Sequence, residues 1–160
     1  MEHKTRIDAE DGKQDILITR EFDLPVELLF RAHAEPDLFE QWMSHEYATT
    51  KVLKFETRQH GSWQFETIDT KGNKVFGANG VFHEFTPNQK IIRTFEMENT
   101  PFPVQLEFLE FEKITEDSSR LKMQIVYKSI AHRDRLLQLP FASGLNMAHN
   151  RLQEVISKLN

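Results

Sequence analysis

The stretch from Ala131 to Asn160 most constrains the fold. It reads as one long amphipathic helix closing a chain that otherwise alternates like strands. Apolar residues fall at Phe141, Leu145, Ala148, Leu152, Val155, Ile156 and Leu159, in steps of three and four. At about 100° per residue these share an arc of roughly 100°, and one helix cannot cover that face by itself. Asn146, Asn150, Glu154, Ser157 and Lys158 fall outside the arc. A sheet wrapped round a single helix often encloses a pocket, so the same arc raises the functional question.

The rest of the chain supplies the sheet. Residues 1–13 are polar with scattered charge and are expected as a flexible tail, leaving 14–160 as one domain. Ile16, Ile18, Arg20 and Phe22 alternate with Leu17, Thr19 and Glu21, the period of a strand. Pro25 then opens a short helix through Val26, Leu29 and Phe30, and Pro36 opens a second through Leu38, Phe39 and Trp42. From Thr49 to Lys128 strand follows turn. Trp63 and Phe65 form one strand, and Val75 to Phe85 a longer one. Gly77 and Gly80 within that longer strand signal a bulge or a close backbone approach. Val104, Leu106 and Phe108 are out of phase with Leu109 and Phe111, which predicts a bulge near Phe108–Leu109. The order is α+β: two short helices after strand 1, an antiparallel sheet of about six or seven strands, and a long C-terminal helix.

That order, joined to particular residues, resembles the helix-grip superfamily of START-like (Bet v 1-like) domains. Within it, the chain is similar to the activator-of-Hsp90-ATPase-like family. The carriers are Ile18-Thr19-Arg20-Glu21-Phe22-Asp23-Leu24-Pro25, Phe30-Arg31-Ala32 with Pro36-Asp37-Leu38 and Gln41-Trp42, and His60-Gly61-Ser62-Trp63. Gly80-Val81-Phe82-His83-Glu84-Phe85-Thr86-Pro87 and the helix from Gly144 to Leu152 complete the set. Met43 stands where a second Trp is usual, and Ser62 where a second Gly is. The resemblance implies a sheet gripping the terminal helix around a deep cavity. It implies no single function, because members include co-chaperones, ligand carriers and polyketide-shaping enzymes.

Composition narrows the choices. With no cysteine there is no disulfide framework, thiol nucleophile or thiolate metal site. The net charge of -5 argues against a nucleic-acid partner, and no apolar run reaches membrane-spanning length. A cytoplasmic monomer or homodimer is expected. His45-Glu46 and His83-Glu84 begin like a zinc helix motif, but Thr49 and Pro87 replace its second His, so neither metal nor cofactor is expected. Glu110 and Glu112 share one strand face and Glu107 takes the other; a solvated face is preferred over an acid/base pair.

Candidate cavity residues are Trp42, Trp63, Phe65, Phe82, Phe95, Met123, Leu145, His149 and Leu152. His149 lies at the edge of the helix arc, where a solvent-touching histidine is preferred over a ligand contact. Met147 looks away from the arc. Arg20 sits on the apolar side of its strand, as a structural ion-pair partner or an anchor for an anionic ligand. No residue is assigned a catalytic role. The expected function is non-catalytic binding of a small hydrophobic or amphipathic molecule. The alternatives are an Hsp90-type co-chaperone or stress-response module, and a cyclase- or hydrolase-like enzyme using a cavity His or carboxylate.

Overall fold

The computed structural model, which describes residues 3–159, has eight strands, most of them carrying the period-two pattern of the sequence. Met1, Glu2 and Asn160, the outer ends of the expected tail and helix, lie outside the described residues. The strands are β1 (Arg6–Asp8), β2 (Asp15–Phe22), β3 (Ala48–Phe55), β4 (Ser62–Asp69), β5 (Lys74–Thr86), β6 (Lys90–Met97), β7 (Gln105–Thr115) and β8 (Ser118–Val126). They form one antiparallel sheet in the order β1-β2-β8-β7-β6-β5-β4-β3. The helices are α1 (Val26–Ala34), α2 (Pro36–Met43), α3 (Ile130–Leu137) and α4 (Phe141–Ser157). This is the α+β, helix-grip class. Among the described residues no helix is long and apolar enough to cross a membrane.

Three expectations are revised. The sheet has eight strands rather than six or seven, because residues 6–8, expected in the tail, pair with β2 through Ile7 and Ile18. A strand with one apolar residue leaves no periodicity to read. The tail is held further along by Arg133 of α3, whose Nη1 donates to the carbonyls of Glu10 and Asp15 at 2.7 and 3.1 Å.

The terminal helix is also two helices, not one. Pro140 has no N–H to continue the ladder and disfavours helical geometry at Leu139. α3 therefore starts on its own cap, Ser129, whose hydroxyl accepts from the His132 amide. The expected bulge near Phe108–Leu109 is absent as well. β7 runs in regular register with β6 and β8 across that point, and the shift comes later, between Lys113 and Thr115. The inward face of β7 is Gln105, Glu107, Leu109 and Phe111. Leu106 and Phe108 occupy the other face, half-buried.

The core has two parts. The larger gathers Phe22, Leu29, Trp42, Trp63, Leu152 and Ile156. The smaller gathers Ile16, Ile18, Ile125, Tyr127 and Leu136, with Phe141 and Leu145 packed against it. Met123 packs on both. α4 spans the seam: Ala148, Leu152 and Ile156 are buried in the first part, while Leu145 reaches the second. Burying a Leu or Ile side chain contributes about 1.5–3 kcal/mol, so this stripe fixes the helix on the sheet.

Candidate functional site

The seam between the two core parts is not filled. It holds a cavity of about 160 Å³ with contributions from α1, α2, the sheet and α4. Its apolar wall is Phe39 and Trp42 of α2, Trp63 and Phe65 of β4, Phe95 of β6, Met123 of β8 and Leu145 of α4. Seven of the nine residues expected there line it: Trp42, Trp63, Phe65, Phe95, Met123, Leu145 and His149. Phe82 and Leu152 do not; both are fully buried in the larger core part. An apolar cavity of about 150 Å³ in another protein holds one benzene ring, so this space is of single-ring size.

The two indoles serve as walls, because their N–H groups are already engaged by backbone carbonyls. Trp42 donates its N–H to the carbonyl of Ala32 at 2.8 Å, tying α2 back to α1. Trp63 donates to the carbonyl of Thr94 at 3.2 Å and lies stacked between Phe65 and Phe82, with ring centroids 5.7 and 5.9 Å away. Gly80, paired opposite Trp63, makes this possible. A Cβ there would stand 1.9 Å from the Thr94 carbonyl oxygen and 2.6 Å from the indole nitrogen.

The polar side of the cavity comes from residues that the sequence patterning left out. Arg93 and Glu107 are direct cross-strand partners on β6 and β7, both facing inward. Arg93 Nε donates to Glu107 Oε1 at 2.8 Å, and Gln105 Nε2 donates to Oε2 at 2.7 Å, so both carboxylate oxygens are engaged. The guanidinium lies 4.5 Å over the Trp63 ring. Its Nη1 is buried with no hydrogen-bond partner among the described residues. Arg93, Gln105 and Glu107 all line the cavity, as does His33 of α1. The solvated face expected for the acidic cluster holds for Glu110 but not for Glu107, which is 3% exposed.

Two buried histidines flank Trp42, with ring centroids 5.4 Å away for His33 and 6.4 Å for His149. His33 Nδ1 lies 2.9 Å from the Leu29 carbonyl, which can only accept, so the ring proton sits on Nδ1 and Nε2 is left as acceptor. Burial pushes His33 down to about 4, with Arg93 adding to the shift and the Leu29 bond opposing it. Burial likewise pushes His149 down to about 3, with His33 and Arg20 adding to it. Both rings are neutral near pH 7.

His149 is therefore not the solvent-touching edge residue expected. It is 2% exposed, packed edge-on to Phe22, with Nδ1 2.7 Å from the Thr5 hydroxyl. Thr5 lies just before β1, the strand that patterning missed, which is why the sequence left His149 uncovered. A ring with so low a pKa is a weak proton acceptor at neutral pH, which weighs against general-base work there.

Arg20 is buried as expected from its strand face, but it does not line the cavity. Its Nη1 donates to Thr5 Oγ1 and Asn146 Oδ1, both at 3.2 Å, and its Nη2 to Asn150 Oδ1 at 2.9 Å. The two asparagines outside the helix arc thus bind the strand to α4. With Thr5 accepting from Arg20, its hydroxyl proton can go to His149 Nδ1, which places the ring's own proton on Nε2. Among the described residues no group of three or more His, Asp or Glu side chains could hold a metal ion.

Two of the missed residues carried a signal. Arg93 is in phase with Ile91 and Phe95, the same cue that singled out Arg20. Glu107 is in phase with Leu109 and Phe111. That one faces the other follows only from strand register.

A model of the family described as "Activator of Hsp90 ATPase homolog 1-like protein" matches residues 23–157. No curated protein matches the sequence. Among solved structures, a protein from Rhodobacter sphaeroides is 18% identical with a TM-score of 0.87, covering 97% of this chain and 99% of that one. A Nitrosomonas europaea protein is 22% identical with a TM-score of 0.79, covering 95% and 99%. One from Mycobacterium smegmatis is 18% identical with a TM-score of 0.80, covering 95% and 96%. At these identities the structural likeness establishes the fold alone.

Proposed function

The chain belongs to the activator of Hsp90 ATPase homolog 1-like family, and on that premise we propose that it binds a small apolar or amphipathic molecule, in the cytoplasm and without catalysis. The site is the cavity between the sheet and α4. The observation that carries this reading is the unfilled seam: aromatic walls with a few fixed polar groups, the usual make-up of a small-molecule site. Trp42 and Trp63 both line it, so a ligand entering changes their surroundings. Titration with ring-sized aromatics is expected to give saturable quenching of tryptophan fluorescence and a matching mass increase in native mass spectrometry. A panel of apolar and amphipathic compounds producing neither would overturn the reading.

A second reading, a chaperone-associated module, draws on the family description and on one surface feature. Tyr47 and Met147 are 69% and 59% exposed and border one open groove with His45, Gly144 and Arg151. Solitary exposed apolar side chains are ordinary, but two on one groove suit a protein contact. Pull-down of an Hsp90-type chaperone with an altered ATPase rate is expected on this reading. Capture with no change of rate counts against it.

A further inference from the structure

The proposal deepens the ligand-binding reading and rests on it. The cavity has a charge balance and a hydrogen-bond balance, and each restricts what can enter. Arg93 and Glu107 form a buried ion pair that cancels, and the two histidines are neutral. An anionic guest would leave a net negative charge in a low-dielectric interior, and a cationic guest a net positive one; neither finds a counter-charge. Each Glu107 oxygen already accepts one hydrogen bond, from Arg93 and from Gln105, so its charge is directed at groups of the protein. Arg93 Nη1, by contrast, is a buried donor without an acceptor among the described residues. Leaving such a donor unmet is costly, so an acceptor placed beside it is favoured.

His33 lines the same cavity as Arg93, whose charge adds to the lowering of its titration. His33 keeps Nδ1 on the Leu29 carbonyl, and so Nε2 is available as an acceptor. Arg93 Nη1 is an unmet donor and His33 Nε2 an open acceptor on the polar side of a single-ring aromatic space, and one group can serve both: a hydroxyl. We infer that the preferred occupant is an uncharged single-ring molecule carrying a hydroxyl oxygen, which accepts from Arg93 Nη1 and donates to His33. The Arg93–Glu107 pair then acts as a selectivity element. It offers a strong donor and cancels the charge that would otherwise attract carboxylates.

The test is an amide-resolved NMR titration of the full chain at pH 7 with four probes of similar size: phenol, toluene, benzoate and benzylamine. Phenol is uncharged there, with a pKa of about 10. It is expected to bind about ten- to a hundredfold more tightly than toluene, the fold-change of one hydrogen bond to a charged donor. Benzoate and benzylammonium are expected not to saturate. Toluene binding as tightly as phenol, as it would if water alone satisfied Arg93, overturns the inference and leaves the ligand-binding reading standing. So does benzoate binding best. No shift of cavity amides by any probe removes the ligand-binding reading itself.

Glu107→Gln sharpens the test. It keeps the shape and an oxygen for Arg93 but leaves the guanidinium uncompensated, so benzoate is expected to overtake phenol. An unchanged order overturns the selectivity argument. If Glu107→Gln does not fold, the doubly neutral Arg93→Met/Glu107→Leu protein serves instead. It is expected to lose the preference for phenol over toluene, and retention of that preference overturns the role of Arg93.

Discussion

Two arginines are buried on the inner face of one sheet, and they do opposite things. Arg20 on β2 donates to the neutral side chains of Thr5, Asn146 and Asn150, fastening the N-terminal segment and α4 to the sheet. Arg93 on β6 is held by a carboxylate, lies over an indole and faces a space that side chains do not fill. Each depresses the titration of the histidine beside it, Arg20 that of His149 and Arg93 that of His33. The difference teaches that a buried charge is read through its partners. Arg20 ends on chain segments that must be docked, and Arg93 ends at a cavity. The first is a fastening and the second a binding element.

The largest effect expected is on the Arg93 side. Glu107→Leu leaves a buried guanidinium without its counter-charge and is expected to cost about 3–5 kcal/mol in urea denaturation. Adding Arg93→Met is expected to recover most of that loss, because the pair is replaced by apolar volume. A double variant no more stable than Glu107→Leu alone would break the idea that the two charges balance each other.

Acid comes next and tests both arginines together. Below about pH 6.5 an unfolded imidazole takes up a proton. The folded rings refuse it until about pH 4 for His33 and about pH 3 for His149. The unfolded chain therefore binds more protons across that window, and stability falls as pH falls through it. Between pH 7 and pH 4.5 each ring is expected to cost on the order of 2 kcal/mol. Stability that is flat over this range would show that the histidines are not held neutral.

Arg20→Met carries the smallest effect, about 2 kcal/mol, from the loss of hydrogen bonds made by a charged donor. Its signature is local: hydrogen exchange is expected to quicken in β1 and at Thr5 while the β6–β7 amides stay protected. Uniform quickening across the sheet would erase the distinction between the two arginines.

Most of the fold was legible because it depends on periodicity. Leu121, Met123 and Ile125 alternate as a strand, and Ala148, Leu152 and Ile156 recur as a buried helical stripe. Where the pattern was thin or misleading, reading stopped. β1 has one apolar residue, Pro140 divided what looked like a continuous helix, and Phe108 drew attention to the wrong face of β7. The site was legible on its apolar side, and on its polar side through His149 alone. Trp42, Trp63 and Phe65 announce themselves by size, whereas Arg93 and Glu107 show only a phase shared with apolar neighbours, and their pairing waits on strand register.

The sequence by itself determined the α+β class, the order of elements and the inward arc of α4, because side-chain spacing along one segment is set by backbone geometry. It also marked Arg20 as a buried charge. Only the tertiary structure decided that Arg93 meets Glu107, that Thr5 closes over His149, and that a ring-sized space survives between the two core parts. Those facts depend on strand register and on contacts between residues far apart in the chain. Such contacts are fixed when many faces are packed at once, and no single segment contains them.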